Sequence, residues 1–521
     1  MDQDNGNAAA YFVDRHVAEG RGEKLAFVET HFGRRLTYAA LHERSARVPD
    51  LLRRHDIQAE DRVAILLPDW IEIPVIFWGS LKAGVLPIPL NTLLSADYYE
   101  IILNDARAKA LFISPSLLPV IEPLLPQLPS LKHVFIVGGP AGSSLSFEEE
   151  MGKSTPRETL RVSPDECAFW LYSSGSTGRP KGVRHVHSSL RATADTFGAQ
   201  VLGIRESDVV LSAAKVFFAY GLGNSMTFPL SVGATAALCP ERPTPETMFK
   251  ALAEIRPTVF CAVPTLFASM LAHSSGKAPE GCERLRICIS AGEALPADVG
   301  NRWRAAFGVD ILDGVGSTEM LHIFLANAPD DIVYGTSGVA VPGYEVKLVD
   351  EAGNEITAHG EIGELLVRGP SAASDYWNQR DKSRTTFEGY WTRTGDKYER
   401  TEGGRYVYCG RTDDMFKVSG IWISPFEVEQ ALVSHPDVLE AAVVPWRDKD
   451  GLEKPLAVIV LKGEPLLDGL KDVLKAHVKQ QVGAWKYPRW IEIVPELPKT
   501  ATGKIQRFKL RDHEWESVRG S

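Results

Sequence analysis

The chain has 521 residues and a formal net charge of −10, from 57 Lys and Arg against 67 Asp and Glu. With 44% hydrophobic and 24% charged residues, it has the composition of an ordinary globular protein, which excludes a predominantly disordered or fibrous chain. The acidic balance argues against general nucleic-acid binding, because such proteins use a basic surface to displace counterions from phosphates.

The cysteines and the apolar segments favour a cytoplasmic protein. None of the six cysteines forms a C-x-x-C pair, which favours free thiols in a reducing compartment. The N-terminus lacks the basic and apolar regions of a secretory signal. The most apolar region, 63–90, is interrupted by Asp69, Glu72 and Lys82, so we expect no membrane span and no membrane partner.

In the first 140 residues, apolar runs typical of strands alternate with segments that can form helices. Such alternation predicts βαβ units with mainly parallel strands buried on both faces. Prolines weaken the prediction of the second strand. The predicted strands are 63–67, 85–90, 110–113 and 133–137, and the predicted helices are 71–82, 95–105 and 116–125.

A second α/β stretch begins with a predicted strand at 167–172, and short apolar runs between 362 and 411 predict a smaller β-rich subdomain. The last hundred residues predict a compact α+β domain of their own. Its predicted elements are a helix that begins at Ser424-Pro425, strands at 439–444, 456–461 and 490–494, and a helix with the apolar stripe Leu470, Val473, Leu474 and Val478.

The strongest local signal is the segment 172–182, Tyr-Ser-Ser-Gly-Ser-Thr-Gly-Arg-Pro-Lys-Gly, which follows a predicted strand. Its glycines let a ligand approach the backbone, and its hydroxyls and Lys181 supply donors and positive charge. Backbone N–H groups in such a loop bind anions, so the segment predicts a polyphosphate site. It is not a Walker A loop, because Pro180-Lys181-Gly182 stands where Gly-Lys-Ser/Thr is required. A surface loop rich in small polar residues is the alternative.

This segment resembles the signature loop of the adenylate-forming superfamily, which includes acyl- and aryl-CoA synthetases, luciferases and peptide-synthetase adenylation domains. The resemblance implies an α/β fold: a large N-terminal domain (1–412) of α/β subdomains plus a β-rich subdomain, and a small mobile α+β C-terminal domain (413–521). Further motifs of the superfamily occur in family order at 290–296, 313–319, 394–396, 410–414, 417–420 and 497–504.

The resemblance implies activation of a carboxylate at the expense of ATP. The carboxylate attacks the α-phosphorus to give an acyl-AMP and pyrophosphate, and a thiol then takes the acyl group. Cations and a metal ion stabilise the charge that develops on the leaving pyrophosphate. The expected partners are a small aryl carboxylate, ATP, Mg²⁺ and coenzyme A as co-substrate.

Residue by residue, the resemblance also assigns the nucleotide site. Glu319 is the expected Mg²⁺ ligand, with a solvated loop acid as the alternative. Asp396 is expected to accept hydrogen bonds from the ribose, with Arg411 close by. The residues expected to hold the phosphates are Ser174, Gly175, Ser176, Thr177, Gly178, Lys181 and Thr318, and those expected to line the adenine are Gly292, Glu293, Ala294 and Asp313.

In the C-terminal region, Lys504 resembles the catalytic lysine that bridges the carboxylate and the α-phosphate as a mobile charge. An ordinary exposed lysine is the alternative. The resemblance makes Lys504 a target of a lysine acetyltransferase and deacetylase, because acetylation would remove its charge. Asp413 resembles the hinge of a domain rotation, and Gly420 the position where the pantetheine chain passes. Trp422 replaces an arginine of many acetate-activating relatives, so it is expected to pack at the interface or stack on a ligand.

The segments 213–224 and 320–324 resemble benzoate–CoA ligases in particular. Ala219 stands where amino-acid-activating relatives carry an Asp, so a substrate ammonium would lie unpaired. His322 is expected to contact the substrate carboxylate or a ring substituent, or to be structural. The residues expected to wall the acyl pocket are Phe218 at its gate, Ala219, Tyr220, Gly221, Gly316, His322 and Ile323.

Small residues beside Tyr220 leave a flat slot, so benzoate is the expected substrate. A 4-hydroxybenzoate, another substituted benzoate or a cyclic carboxylate is the alternative. A kinase-like phosphotransferase, a non-catalytic nucleotide-binding regulator and an adenylation domain that loads a carrier protein are the competing classes. Only 17 residues follow Lys504, which favours free CoA over a fused carrier. A homodimer is expected by family analogy.

Overall fold

The structure is a computed structural model, and it confirms the parallel α/β unit predicted near the N-terminus. A five-stranded parallel sheet has the order β4-β3-β5-β6-β7. The structure describes residues 5–174, 180–274, 276–412, 414–418, 421–448, 452–463, 469–483, 486–499, 505–511, 513 and 515. The elements up to residue 153 are α1 (Arg15–Ala18, preceded by a π-helical turn, Ala10–Asp14), β1 (Leu25–Glu29), β2 (Arg35–Thr37), α2 (Tyr38–Arg54), β3 (Arg62–Leu66), α3 (Glu72–Lys82), β4 (Leu86–Pro89), α4 (Ala96–Ala106), β5 (Ala110–Ile113), α5 (Leu118–Ile121, followed by a 3₁₀ turn, Glu122–Gln127), β6 (His133–Ile136), β7 (Leu145–Ser146) and α6 (Phe147–Lys153).

Strand β4 forms despite its two prolines because it lies at the edge of this sheet. The N–H groups of Leu86 and Leu90 donate to carbonyls of the β3 side at 2.8 Å. Pro87 and Pro89 alternate with these donors, so they take the positions where an N–H would face away from β3. The predicted strand is therefore confirmed.

The central part of the chain forms a nine-stranded sheet in the order β16-β15-β14-β13-β12-β10-β11-β1-β2. The strands from β14 to β1 are parallel, and antiparallel strands lie at both edges. The elements of this part are β8 (Cys167–Ser174), β9 (Pro180–Val186), α7 (His187–Thr193, followed by a π-helical turn, Ala194–Val201), β10 (Val209–Ser212), α8 (Ala219–Leu222, followed by a π-helical turn, Gly223–Thr227), α9 (Phe228–Val232), β11 (Thr235–Leu238), α10 (Pro245–Ile255), β12 (Val259–Ala262), α11 (Pro264–His273), β13 (Ile287–Ser290), α12 (Ala297–Phe307), β14 (Ile311–Gly316), β15 (Ile323–Ala326) and β16 (Val339–Ala340).

A β-rich subdomain follows, as predicted, but it begins earlier, with β17. Its antiparallel sheet has the order β18-β17-β19-β22-β21, and β23 also pairs with β22. Strand β20 leaves this subdomain and joins β9 and β8 in a separate three-stranded sheet. The elements are β17 (Glu345–Val349), β18 (Glu355–Ile356), β19 (Gly363–Arg368), β20 (Asp375–Tyr376), α13 (Arg380–Thr386), β21 (Phe387–Glu388), β22 (Trp391–Arg400) and β23 (Tyr406–Arg411).

The C-terminal region is the predicted α+β unit, with a sheet in the order β26-β27-β28. Ser424 caps the first helix by accepting from the Glu427 N–H at 3.2 Å. In the second helix Leu470, Leu474 and Val478 are buried, whereas Val473 is 41% exposed, so its place in the predicted apolar stripe was wrong. The elements are β24 (Phe416–Val418), β25 (Ile421–Ile423), α14 (Pro425–Val433), β26 (Val438–Arg447), β27 (Glu453–Leu461), α15 (Leu470–Val482), β28 (Trp490–Ile493) and α16 (Arg507–Arg511).

The predicted fold class is thus confirmed as mixed α/β, with a large N-terminal domain and a smaller C-terminal domain. Within the described ranges, every helix is too short or too polar to cross a bilayer. Helix α3 is buried along its whole length and packs against α2, which places Gly79 directly against the neighbouring helix.

Replacement of Gly79 by alanine is expected to lower the free energy of unfolding by about 1–3 kcal/mol through overpacking. A Cβ atom there would lie 2.8 Å from the Ser45 carbonyl oxygen and against the Val48 side chain. Gly152→Ala, in α6 with nothing within 4 Å of the new methyl group, is the control, and it should be stabilising by about 0.5–1 kcal/mol. Thermal denaturation compares the two variants, and equal shifts would contradict the close packing of α2 and α3.

Candidate active site

The phosphate loop predicted from the sequence is held at both ends by an antiparallel pair. Strands β8 and β9 run to Ser174 and Pro180, which face each other across the ladder. Between them, the predicted residues Gly175, Ser176, Thr177 and Gly178 lie outside the described residues, as does the Ser174 side chain. The strands therefore show where the loop leaves and re-enters the sheet.

Lys181, Tyr376 and Glu319 lie together near the first residues of β9. The Lys181 ammonium is 4.8 Å from the centre of the Tyr376 ring. Tyr376 donates its hydroxyl proton to Glu319 Oε1 at 2.7 Å. Burial lowers the pKa of Lys181, and the Glu319 carboxylate partly opposes this effect. A cation and a carboxylate, both predicted from the sequence, thus flank a tyrosine that the sequence analysis missed.

The backbone beside Glu319 is fixed by a buried histidine. His185 Nε2 donates to the Thr318 carbonyl at 2.8 Å, since a carbonyl oxygen can only accept. Burial lowers the pKa of His185 to about 4, so the ring is neutral near pH 7. It stacks on Phe169 with ring centres 5.3 Å apart. The neutral, buried His185 ring therefore holds the backbone at Thr318, the residue directly before Glu319.

Asp396 and Arg411 form a pair on adjacent strands, β22 and β23. Their Cα atoms are partners in the antiparallel ladder. Arg411 Nη1 donates to Asp396 Oδ1 at 2.8 Å and to the Thr394 carbonyl at 3.0 Å. The Asp396 charge raises the pKa of Arg411, and Glu319 contributes to the same effect. The predicted ribose carboxylate is thus held in place by the arginine predicted beside it.

The predicted adenine-lining residues come together at the carboxyl ends of two parallel strands. Ser290, the last residue of β13, faces Asp313 of β14. Gly292 has φ +97°, a left-handed conformation that favours glycine. Gly292, Glu293 and Ala294 therefore form a turn above Asp313. Crevices outside the carboxyl ends of parallel strands are the usual ligand sites of α/β sheets.

The Asp313 side chain is itself buried beneath this turn, at 4% exposure. Its Oδ2 accepts from the Leu295 N–H at 3.4 Å, and its Oδ1 has no hydrogen-bond partner in the described part of the chain. Burial raises the pKa of Asp313 to about 8. The carboxyl group is therefore protonated near neutral pH, and it supports the turn through its bond from the Leu295 N–H.

The predicted acyl-pocket residues also come together. Ala219, Tyr220 and Gly221 lie in α8, directly after the partly exposed Phe218. The Tyr220 hydroxyl donates to the Ile289 carbonyl at 2.9 Å, with the Ala262 carbonyl at 3.2 Å. Ala262 is the last residue of β12 and Ile289 the last but one of β13, so the tyrosine ties α8 to the same sheet edge as the adenine turn.

The opposite wall comes from the β14–β15 hairpin. Gly316 and Ile323 are partners in its ladder. His322 Nε2 donates to the Tyr220 carbonyl at 3.3 Å, and its ring lies 4.5 Å from the centre of Phe228. Burial lowers the pKa of His322 to about 3, so it is neutral. A Cβ on Gly316 would lie 2.5 Å from the His322 carbonyl oxygen, so this hairpin requires glycine there.

Of the predicted C-terminal site residues, Asp413, Gly420 and Lys504 lie outside the described residues, as does the side chain of Trp422. The residues that flank Lys504 are described. Lys499 and Ile505 pair as an antiparallel bridge, and the Gln506 N–H donates to the Pro498 carbonyl at 2.8 Å.

A Mg²⁺ ion fits the donor set around Glu319. Within the described residues, no group of three or more His, Cys, Asp or Glu is arranged to bind a metal. Mg²⁺ instead binds typically through one or two carboxylates together with substrate phosphates and water. Glu319 beside the phosphate loop provides one such carboxylate, and its bond from Tyr376 leaves the group further lone pairs.

The protonated state of Asp313 predicts a pH effect that an amide would abolish. The folded protein holds this proton up to a pKa of about 8, whereas the ordinary value is 3.8. The stabilisation that the proton provides is therefore complete below pH 4 and is lost as the pH rises through 8. Relative to Asp313→Asn, the wild type should lose up to about 1.4 kcal/mol per pH unit in this window. Melting temperatures of both proteins at pH 5 and pH 8 measure the difference, and parallel pH profiles would contradict it.

Two family matches cover most of the chain. Residues 14–377 match the AMP-binding enzyme family, and residues 427–504 match the AMP-binding enzyme C-terminal domain. The chain is 54% identical to a 4-hydroxybenzoate–CoA/benzoate–CoA ligase of Rhodopseudomonas palustris, over 97% of this chain and 94% of that protein. It is 53% identical to a benzoate–CoA ligase of Thauera aromatica, over 97% and 95%.

Solved structures agree with these matches. A benzoate–CoA ligase from Burkholderia xenovorans superposes with a TM-score of 0.89 at 47% identity, over 97% of this chain and 99% of that one. An anthranilate–CoA ligase in complex with anthranoyl-AMP gives a TM-score of 0.92 at 40% identity, over 98% and 97%. The resemblance seen in the sequence motifs is confirmed: this chain belongs to the AMP-binding enzyme family, and within it to the AMP-forming acid–thiol ligases, which use ATP and coenzyme A.

Proposed function

We propose that this chain is an ATP-dependent benzoate–CoA ligase. Benzoate and ATP give benzoyl-AMP and pyrophosphate, and CoA then gives benzoyl-CoA and AMP. The observation that carries the proposal is the identity of 53–54% over nearly the whole chain to two ligases with benzoate in their names. The residues predicted to wall the acyl pocket support it, because Ala219 and Gly221 beside Tyr220 are small and suit a flat ring. A substituted benzoate as the main substrate is not favoured.

The first half-reaction follows from the groups around the phosphate loop. The benzoate oxygen attacks the α-phosphorus, and the bond to the pyrophosphate oxygen breaks. Lys181, beside Tyr376, would neutralise phosphate charge, and Asp396, held by Arg411, would accept hydrogen bonds from the ribose. Glu319 would hold Mg²⁺, which supplies charge neutralisation on the phosphates when bound. The neutral His185 keeps Thr318 and Glu319 aligned throughout.

For the same step we propose Lys504 as the cation between the benzoate carboxylate and the α-phosphate. Thioester formation then requires a different arrangement, because Lys504 would obstruct the thiol. A rotation of residues 413–521 against 1–412 about Asp413 would remove it and bring Gly420 to the pantetheine tunnel. The ion pair of 2.6 Å between Lys499 Nζ and Glu440 Oε1 of β26 supports this division of the chain, because it ties the segment before Lys504 to the C-terminal region.

Three further proposals rest on family analogy and on the sequence. Acetylation of Lys504 would switch off adenylation by removing the charge. A homodimer and a cytoplasmic location also stay predictions.

The function is tested by product analysis with and without CoA across benzoate, ring-substituted benzoates, cyclohexanecarboxylate and aliphatic acids. Benzoate should give AMP and pyrophosphate with the highest kcat/KM, and AMP release should require CoA. Release of ADP would indicate a phosphotransferase, and no nucleotide cleavage with any acid would indicate a regulator. Pyrophosphate release with no thioester on free CoA would instead indicate loading of a carrier protein.

The two-state mechanism is tested by separating the half-reactions. Lys504→Ala should lower benzoate-dependent pyrophosphate exchange by at least about a thousandfold, because it removes the charge at the transferring phosphorus. It should leave thioester formation from supplied benzoyl-AMP largely intact. Gly420→Leu is the complementary variant, which should block thioester formation and spare pyrophosphate exchange. Equal loss of both half-reactions in either variant would contradict the domain rotation.

A further inference from the structure

Asn224 is a buried polar residue that the proposed chemistry leaves unused. It lies in the π-helical turn Gly223–Thr227, which continues α8, and it is 1% exposed. Neither its Oδ1 nor its Nδ2 makes a hydrogen bond of good geometry with any residue that the structure describes, although the amide interacts with the Tyr220 hydroxyl. A buried polar group without a partner is destabilising, so native proteins rarely leave both ends of an amide unpaired. This side chain is therefore suited to a ligand or a bound water.

The position of Asn224 relates it to the acyl slot. It follows Tyr220 by four residues on a continuous helical segment, so the two side chains share a face. Asn224 also acts on the pKa of Tyr220, which burial raises and the nearby amide lowers. The Tyr220 hydroxyl, in turn, is directed at carbonyls in the last residues of β12 and β13. The amide thus lies next to Tyr220, the aromatic residue expected to wall the acyl pocket.

His322 occupies the adjoining side of the same turn. A Cβ on Gly223 would lie 2.7 Å from His322 Nε2, so the imidazole covers the residue directly before Asn224. Since Nε2 donates to the Tyr220 carbonyl, the neutral ring has only an acceptor, Nδ1, to offer a ligand. An amide offers both a donor and an acceptor. It therefore matches a hydroxyl or amino substituent more completely than the histidine does.

We infer that Asn224 is the specificity-determining residue for polar ring substituents. Its amide hydrogen-bonds one neutral hydroxyl or amino group on the aryl ring, and it binds a water when the ring is unsubstituted benzoate. A charged substituent is excluded, because the amide supplies no counter-charge for a buried ion. Lys215, the nearby lysine of the same segment, already donates to the Glu241 carbonyl at 2.6 Å. This inference rests on the proposed function and adds to it a basis for ring selectivity.

The test replaces the amide by an apolar group of similar size, Asn224→Leu. The values of kcat/KM for AMP formation are measured for benzoate and for the 2-, 3- and 4-hydroxy and amino derivatives. The ratio of the best hydroxy- or aminobenzoate to benzoate should fall by about tenfold or more. The substituted ring loses its hydrogen bond, whereas benzoate gains an apolar contact. For a derivative that is bound but not turned over, the inhibition constant against benzoate replaces kcat/KM.

Thr227→Val is the matched control. Thr227 is buried in the same turn, but its hydroxyl is already bonded to the Gly223 carbonyl at 3.4 Å. This change also removes a buried polar group. The ratio of kcat/KM for the substituted benzoate to that for benzoate should nevertheless stay within about twofold of wild type. Asn224→Ala gives a second measurement should the leucine variant fail to fold, with a smaller fall in the same direction because water can enter.

The two proposals fail in distinguishable ways. If the wild type activates no benzoate, the proposed function is wrong. The inference is overturned if benzoate is activated but Asn224→Leu and Thr227→Val give the same ratio of kcat/KM for the substituted benzoate to that for benzoate. Asn224 then does not contact the ring substituent. Terephthalate serves as a further check, because turnover of this doubly charged acid at a rate near that of benzoate would also overturn it.

Discussion

The geometry of the candidate site depends on strand β9, which is paired on both of its edges. On one side it forms the ladder with β8 that frames the phosphate loop. On the other side it pairs with β20, and Arg184 holds Asp375 with two hydrogen bonds of 2.6 Å. This fork-to-fork contact adds geometric specificity to the pairing. Because Lys181 and His185 belong to β9 and Tyr376 to β20, one register places all three against Glu319.

Much of the fold was predictable because the hydrophobic pattern and the local turn chemistry agree. The alternation of apolar runs predicted the first parallel sheet, and Ser424-Pro425 predicted a helix start that the structure shows. Val473 was predicted to belong to the apolar stripe of α15, but the structure leaves it exposed. The helical repeat therefore predicted a wider buried face than the helix has. The β-rich subdomain begins earlier than predicted, at β17, and the turn dipeptide Pro342-Gly343 just before that strand is the signal that the sequence analysis missed.

The residues of the candidate site were likewise predictable only in part. Residues inside contiguous motifs, such as Thr318, Glu319 and Asp396, were identified by resemblance, and the structure brings their neighbourhoods together. Partners distant in sequence were missed: Tyr376 is 57 residues from Glu319, and His185 is 133 residues from Thr318. No spacing links such pairs, because they meet only through sheet pairing. Asn224 lay within a recognised segment, yet its burial and its missing partners are three-dimensional properties.

The charges of the site also follow a spatial rule. Its interior groups are neutral near pH 7, because burial lowers the pKa values of His185 and His322 and raises that of Asp313. Lys181, Glu319 and the pair of Asp396 and Arg411 carry the formal charges. Charged groups that are held in fixed positions beside neutral, buried groups can stabilise a reacting phosphate with little reorganisation.

A single carboxylate, Glu429 of α14, connects several elements of the C-terminal region. It accepts from the Val443 N–H of β26 at 2.7 Å and from Arg507 Nη2 of α16 at 2.8 Å. One acidic side chain thereby joins helix α14 to strand β26 and to helix α16. A displacement of α14 would therefore have to carry β26 and the described residues 505–511 with it, because all three depend on one buried carboxylate.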